Sequence, residues 1–539
     1  MGRTQATPSR FRSLVIAFAV AALSVSAAAY ATDRLVMAFP TPATETNRIW
    51  ADSWANLGQF QPMSDTLVDQ DPVTGELVPG LAVSWDRLDH DREWVFHLRR
   101  GVQFHHGYGE MTARDILHTY ELLSRDDSRV NQVAVWREEI VDVQIIDDYT
   151  VAFYFRAPMT WGEQLFAIAG GEFYVQSKAQ WDEGQEAAVD RQFVGTGPYQ
   201  FVRREDGVSL LIEKFDDHWR DEEPQFREVL FRWVDEDTTA LAMLLSDEAH
   251  VIQVSRDVAA SAVGRGMRVI SSTQESMQRY LRLGGQHYAL PEYLDESSPL
   301  TNRNVRHALS LAIDLDEIHE EIYGGRVTPN HLTGWHASRP HWNPEWEEMF
   351  DEYHGYDPDR ARELLAEAGY APGDIELTLW LHAPPAQPEA RIVLEALPGY
   401  WEAIGVRATL LPIDFGTVLS RWRQRDDINV VFATRNFPIR PTEQYIMESI
   451  SAEGSPLSHY LVPEIEALRH ELVATLDTDE RNRLAREIGD VAFHGIYNIP
   501  LGNTFHEVVV NPDVISDWTF PGMNSYGASH YFTIERAGE

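Results

Sequence analysis

Between Asp357 and Leu410 the chain spells out a helix, a strand, a second helical stretch and a second strand, and that order leaves few folds open. Ala361, Leu364, Leu365 and Ala368 recur at i, i+3, i+4 and i+7, with Asp357 placed to cap, Pro358 in the first turn and Gly369 past the end. Ile375, Leu377 and Leu379 then alternate with Glu376, Thr378 and Trp380. After the next helical stretch Val406-Arg407-Ala408-Thr409-Leu410 alternates again. Two strands joined through a helix are expected to lie parallel, with the helix crossing one face. Upstream, Trp94-Val95-Phe96-His97-Leu98 and Val151-Ala152-Phe153-Tyr154-Phe155 read as strands of a more antiparallel region. The expected class is mixed α/β. At 539 residues, with no internal repeat, low-complexity tract or Pro/Gly/Ser-rich linker, the chain should form about two to four directly packed domains.

Arg3, Arg10 and Arg12 precede an apolar run from Ser13 to Ala29, and Ala29-Tyr30-Ala31 follows before Thr32. That order predicts a cleaved signal peptide over residues 1–31, because the run falls short of the roughly 20 residues a spanning helix needs. No cysteine is present, which excludes disulfides, thiolate metal sites and a lipidated N-terminal cysteine. A soluble protein of a Gram-negative periplasm is expected. Against 45 basic residues stand 84 acidic ones, a net charge of −39, which argues against nucleic acid as a partner. Only Lys178 and Lys214 are lysines. Such a surface fits a saline medium or a GC-rich genome equally.

A secreted enzyme should show a nucleophile, a paired acid and base, or a metal cluster. His470-Glu471 and His506-Glu507 begin a zinc-protease pattern, but Ala474 and Val510 stand where the second histidine belongs. Gly195-Thr196-Gly197 begins a dinucleotide loop, yet Gln200 replaces the third glycine and Pro198 removes a donor. His105-His106 would point to opposite faces of a strand. No Gly-x-Ser-x-Gly elbow occurs. The reading is a binder with no catalytic residue, no metal ligand and no cofactor; a glycosidase-like carboxylate pair among so many acids leaves a secreted hydrolase as the rival class.

Four segments carry a family resemblance. The first runs from Asp65-Thr66-Leu67-Val68 through Gly80-Leu81-Ala82-Val83-Ser84-Trp85 and Trp94 to His105, ending at Thr112-Ala113-Arg114-Asp115. The second is Val194-Gly195-Thr196-Gly197-Pro198-Tyr199 with Asp217-His218-Trp219, the third Asn304 to Leu309 with Ala312-Ile313-Asp314, and the fourth the capped helix from Asp357 to Tyr370. In this order they resemble solute-binding family 5, the extracytoplasmic dipeptide, oligopeptide and nickel-binding proteins of ABC importers. On their own chemistry, Thr112 and Asp115 form a capping box, and Gly195 and Gly197 permit positive φ before the strand at Tyr199.

The resemblance implies a two-lobed, periplasmic-binding-protein-like fold of type II with an inserted domain. Lobe I would comprise 32–74, 196–298 and 508–539, the insertion 75–195, and lobe II 299–507. It implies a monomer that closes on a peptide or other small-molecule ligand and delivers it to a permease and ATPase in the inner membrane. An oligosaccharide, opine or organic anion is the alternative cargo, and a chemoreceptor or chaperone-like role the alternative use.

Peptide binders of this family often place an Ala-Asp-Tyr-like triplet after a buried strand of lobe II, its acid meeting the peptide's amine. Here Arg435-Asn436-Phe437 aligns with it and the acid is missing. A desolvated ammonium there would meet a cation, at a cost on the order of several kcal/mol, so an anionic or hydroxyl-rich group is expected. Arginine's planar fork suits such a group. The other reading is that Arg435 and Arg440 pair with surface acids. By position, Gln59, Phe60, Tyr280, Phe415, Trp422 and Asn503 join them as candidate ligand contacts.

Overall fold

The strands Glu376–Leu381 and Arg407–Pro412 pair in parallel, Leu379 beside Leu410, and the helix Glu389–Glu402 crosses between them. In this computed structural model, which describes residues 2, 33–42, 44–51, 58–130, 132–168, 172–382, 389–438, 440–452, 457–522 and 528–538, the helix buries Val393, Leu394, Leu397 and Trp401. Trp401 donates its indole N–H to the Leu309 carbonyl at 3.0 Å, so even this large ring leaves no polar atom stranded. The helix Pro358–Glu367 starts where Asp357 accepts from the Arg360 N–H at 2.9 Å. Apart from Gly2, the expected leader lies outside the described residues.

These strands belong to a six-stranded sheet in the order Val327–Thr328, Asn498–Thr504, Met277–Leu283, Val430–Asn436, Glu376–Leu381, Arg407–Pro412. A seven-stranded sheet runs Arg268–Ser271, Glu507–Val510, Val251–Ile252, Arg34–Phe39, Glu228–Trp233, Ser209–Lys214, Tyr199–Glu205. The third large sheet, Ala82–Leu88, Glu93–Leu98, Thr150–Phe155, Ile140–Asp147, is antiparallel throughout, with Trp94 opposite Phe153. The class is α/β and two-lobed, as the periodicities and the resemblance imply.

The chain passes between the two larger sheets twice, at 271–277 and at 504–507. The two crossings are stitched together: Ser272 N–H donates to His506 O and Ser276 N–H to Thr504 O, both at 2.8 Å. The His506 N–H meets the hydroxyls of Ser272 and Ser276 at 3.0 and 3.1 Å. Burial pushes the His506 imidazole down to about 4, so it stays neutral there. The strand Met277–Leu283, read from sequence as part of lobe I up to residue 298, is hydrogen-bonded on both sides within the six-stranded sheet. The chain changes sheets before this strand.

The first two family-like segments meet at one junction. Gly195 N–H donates to His105 Nδ1 at 3.3 Å, which leaves Nε2 to donate to the Gly197 carbonyl at 2.9 Å. Burial pushes this imidazole down to about 3, so the neutral tautomer persists. Thr196 Oγ1 and Trp219 Nε1 both donate to Asp65 Oδ2 at 2.9 Å. The two glycines do not adopt positive φ. They are needed for a different reason: a Cβ on Gly195 would lie 2.3 Å from the Met63 carbonyl oxygen, and one on Gly197 2.4 Å from the Ser64 nitrogen.

Candidate solute-binding site

Side chains of the strand Met277–Leu283 alternate between two layers. On one face Gln278 Oε1 accepts from the Gly334 N–H at 2.9 Å and from Asn436 Nδ2 at 2.8 Å, while its Nε2 donates to Trp335 O at 2.9 Å. Next on that face, the hydroxyls of Tyr280 and Tyr445 both meet His459 at 3.1 Å. Arg282 follows, ion-paired to Asp427, with His287 3.2 Å from the same carboxylate; all three are fully buried. Burial alone would raise the Asp427 carboxyl, but the Arg282 charge and the His287 hydrogen bond hold it far below the usual range. Each side chain named on this face engages another polar group, while Arg282 Nε and His287 Nδ1 remain without a hydrogen-bond partner among the described residues.

The other face carries Leu281 and Leu283 beside Ala433 and Val431, which pack on the helix Glu389–Glu402. That apolar row ends in Arg279 and Arg435, direct cross-strand neighbours. Arg279 is only 8% exposed and its Nε donates to Thr504 Oγ1 at 3.0 Å. Burial lowers its pKa, the charges of Arg435 and Arg256 push the same way, and Glu389 opposes them. The Arg435 guanidinium lies 5.4 Å from the centroid of the Phe437 ring. From the seven-stranded side, Arg256 at the start of the helix Arg256–Val263 brings its Nε to 3.6 Å from Glu389 and 3.5 Å from Glu507. Its NH1 donates to the Arg326 carbonyl at 3.1 Å, and Arg326 meets Glu507 at 2.5 Å. Groups from both sheet layers therefore meet at this end. Elsewhere Thr160, from the region of the four-stranded sheet, donates to Glu443 at 2.5 Å, a carboxylate also held by Arg481.

Arg435, Asn436, Phe437 and Asn503 are thus gathered near the end of the strand Met277–Leu283. Asn436 turns its amide to Gln278, on the face opposite Arg435, and Asn503 donates to Pro329 O at 3.0 Å. Tyr280 and Trp422 lie elsewhere: both are buried around His459, with the Trp422 indole donating to Ser458 O at 2.9 Å. Phe60 packs on Phe193 at 5.2 Å in the core that includes the four-stranded sheet. Gln59 bridges Thr44 O at 3.0 Å and Arg204 at 2.8 Å. Phe415 opens the helix Phe415–Arg423, and its side chain lies outside the described residues. Arg440 is held by Glu448 and, at 3.1 Å, by Ser449. Arg279, Arg256 and Glu389, which meet at the same end, were not among the sequence candidates. The available signal for Arg279 was its period-two spacing from Leu281 and Leu283, a charge ending an apolar row.

Two sheets joined by two stitched crossings, with ionisable groups of both layers meeting between them, are the layout of a two-lobed binding protein. Residues 76–453 match the bacterial extracellular solute-binding proteins, family 5 (middle region), and the chain belongs to that family. It is a family of transport solute-binding proteins, not enzymes. Di/tripeptide-binding protein 1 of Pseudomonas aeruginosa is 24% identical, the match covering 81% of this chain and 84% of that protein. The dipeptide-binding protein of Escherichia coli is 23% identical over 88% of this chain and 90% of its own. The periplasmic binding protein DppA of Helicobacter pylori, solved with the peptide STSA, superposes with a TM-score of 0.70 at 20% identity, covering 93% and 98% of the two chains. Among the described residues no helix is long and apolar enough to cross a membrane, and no group of three or more His, Asp or Glu could hold a metal ion.

Proposed function

We propose that this protein captures a peptide or peptide-like solute by closing its two lobes and hands it to an ABC permease and ATPase in the inner membrane. The single observation that carries the reading is the nearly full-length match to relatives named for di- and tripeptide binding. The paired crossings support the mechanism, because two short hydrogen-bonded segments between sheets are where small changes of φ and ψ rotate one lobe against the other. The protein works as a periplasmic monomer released from its leader at residue 31. Its lobes are divided by the sheets, with the inserted domain centred on the four-stranded sheet. Arg435, Phe437 and Asn503 face the solute, while Tyr280 and Trp422 stiffen the wall behind it. Calorimetric titration with a defined dipeptide and tripeptide mixture, against a sugar-acid panel, tests the reading. Heat with the peptides, and their unchanged recovery, is the expected result; binding only to the sugar acids overturns it.

A further inference from the structure

The apolar cores divide at the crossings. One cluster runs through the four-stranded and seven-stranded sheets, from Leu35 through Trp94 and Phe153 to Val508, and another fills the seven-stranded side around Ala240. The clusters around Leu379, Trp346 and Phe432 draw only on residues between Leu281 and Leu501. Among the described residues no apolar cluster spans both bodies, and an interface without a shared core is one that can part. One polar contact bridges them away from the crossings. Thr160 Oγ1 donates to Glu443 Oε2 at 2.5 Å, across 283 residues of chain. The donor is firmly seated: the Met159 N–H donates to Asp91 O at 2.9 Å, and a Cβ on Gly162 would lie 2.6 Å from the Trp94 ring. So is the acceptor, because Arg481 bonds both oxygens of Glu443 and donates to the carbonyls of Leu472 and Thr475 at 2.8 Å. Opposite charges face each other around this point. Asp91 above all, with Glu163 and Glu443 adding to it, raises the Arg87 guanidinium above its ordinary value. Burial lowers Arg339, in the loop after Trp335, and Glu163 opposes that. A cation of the four-stranded sheet thus feels an anion of the six-stranded lobe, and a cation of that lobe feels an anion beside the sheet.

We infer that Thr160 and Glu443 form a catch on the closed state, so that the four-stranded sheet, which carries neither crossing, sets how firmly the protein stays shut without touching the solute. When the bodies part, Glu443 keeps Arg481 and the Thr160 hydroxyl returns to water, so opening strands no charge. What is released is one hydrogen bond to a charged acceptor, enough to shift a two-state equilibrium about tenfold. The catch is also linked to the end of the strand Val430–Asn436. Thr442, next to Glu443, donates to the Gly334 carbonyl at 2.8 Å, and the Gly334 N–H donates to Gln278 Oε1 at 2.9 Å. That same oxygen takes Asn436 Nδ2 at 2.8 Å. A solute that orders Asn436 and Phe437 therefore orders the acceptor of the catch as well. The inference rests on the solute-binding reading above and deepens it, since it names what holds the bound state shut besides the solute.

The chain has no cysteine, so Gln144→Cys and Glu471→Cys, at exposed positions on the two bodies, carry a single pair of spin labels. Double electron-electron resonance on the full mature chain reads the distance between them, empty and with di-alanine or tri-alanine, and calorimetry reads half-saturation. Thr160→Val keeps the shape of the side chain, removes its hydroxyl and leaves the pair of Glu443 with Arg481 intact. It should lengthen the distances of the empty protein and raise half-saturation about tenfold, by the same factor for both peptides. Thr160→Ser should restore both readouts. An equal rise in half-saturation with the empty distances unchanged also supports the catch, engaged then only after the solute enters. Unchanged distances with no rise in half-saturation overturn it. A rise confined to one peptide overturns it too, because Thr160 would then be touching the solute. A wild-type distance that neither peptide shortens, with Thr160→Val still longer, keeps the catch and overturns the peptide reading.

Discussion

At the junction of Asp65, His105 and the Gly195-Thr196-Gly197 loop every polar group named meets its complement: imidazole to backbone, hydroxyl and indole to carboxylate. At the end of the strand Met277–Leu283 two cations stand side by side, Arg279 bonded to Thr504 Oγ1 and Arg435 beside the Phe437 ring. Both places are largely buried, and they differ in the charges they gather: a carboxylate with neutral donors in the first, two guanidiniums in the second. The junction is built from two of the four segments that carry the family resemblance, and its chemistry holds the chain in place. The sheet end is built from residues outside those segments. Two of the segments that carry the family resemblance thus serve the fold at this junction.

The comparison can be broken by substitution. The largest effect is expected on the matched face of the same strand. Asp427→Ala strands the fully buried Arg282, and a loss of about 3–5 kcal/mol in denaturant unfolding is expected. Gly197→Ala at the junction forces a Cβ against the Ser64 nitrogen, backbone against backbone, and should cost about 3 kcal/mol by the same measurement.

His105 sharpens the contrast through pH. Its ordinary value is 6.5 and burial lowers it to about 3 in the folded chain. Between these values the unfolded chain binds a proton that the folded chain refuses, so stability falls as the pH is lowered from 6.5 toward 3. One proton sets a slope of about 1.4 kcal/mol per pH unit. His105→Gln should show a shallower decline in urea unfolding across that window, and an unchanged slope would contradict the neutral assignment.

Two smaller effects complete the series. Asp357→Ala removes an exposed helix cap and should lower stability by about 1 kcal/mol, without touching binding. Arg435→Gln, in the absence of solute, should raise stability by a few tenths of a kcal/mol, because it relieves a like-charge pair. A marked loss of stability in the empty protein would show that Arg435 serves the fold instead.

Much of the architecture was legible because helix and strand periods differ and helix ends are marked. The strand, helix and strand from Ile375 to Leu410 pair as their alternation implies, and Asp357 and Thr112 cap where their spacing places them. The sheet that takes Met277–Leu283 was not legible, because Gln278, Arg279 and Arg282 put polar groups on both faces and no alternation declares a partner. The candidate contacts fall in several different places in the fold. Phe60, Tyr280 and Trp422 were attractive as aromatic contacts, yet large rings fill cores and pockets for the same reason, the area they bury. The conformational freedom of Gly195 and Gly197 was likewise a reasonable but mistaken cause; what they supply is room. Arg279 escaped notice since its meaning depends on register, which sets it opposite Arg435 across 156 residues of chain.

The central claim is that two lobes close on a solute and release it unaltered. Small-angle X-ray scattering of the mature chain with and without a saturating dipeptide library tests this most directly. The account predicts a smaller radius of gyration and a shorter maximum dimension once peptide is bound. An identical scattering curve, with calorimetry confirming occupancy in the same sample, would contradict it.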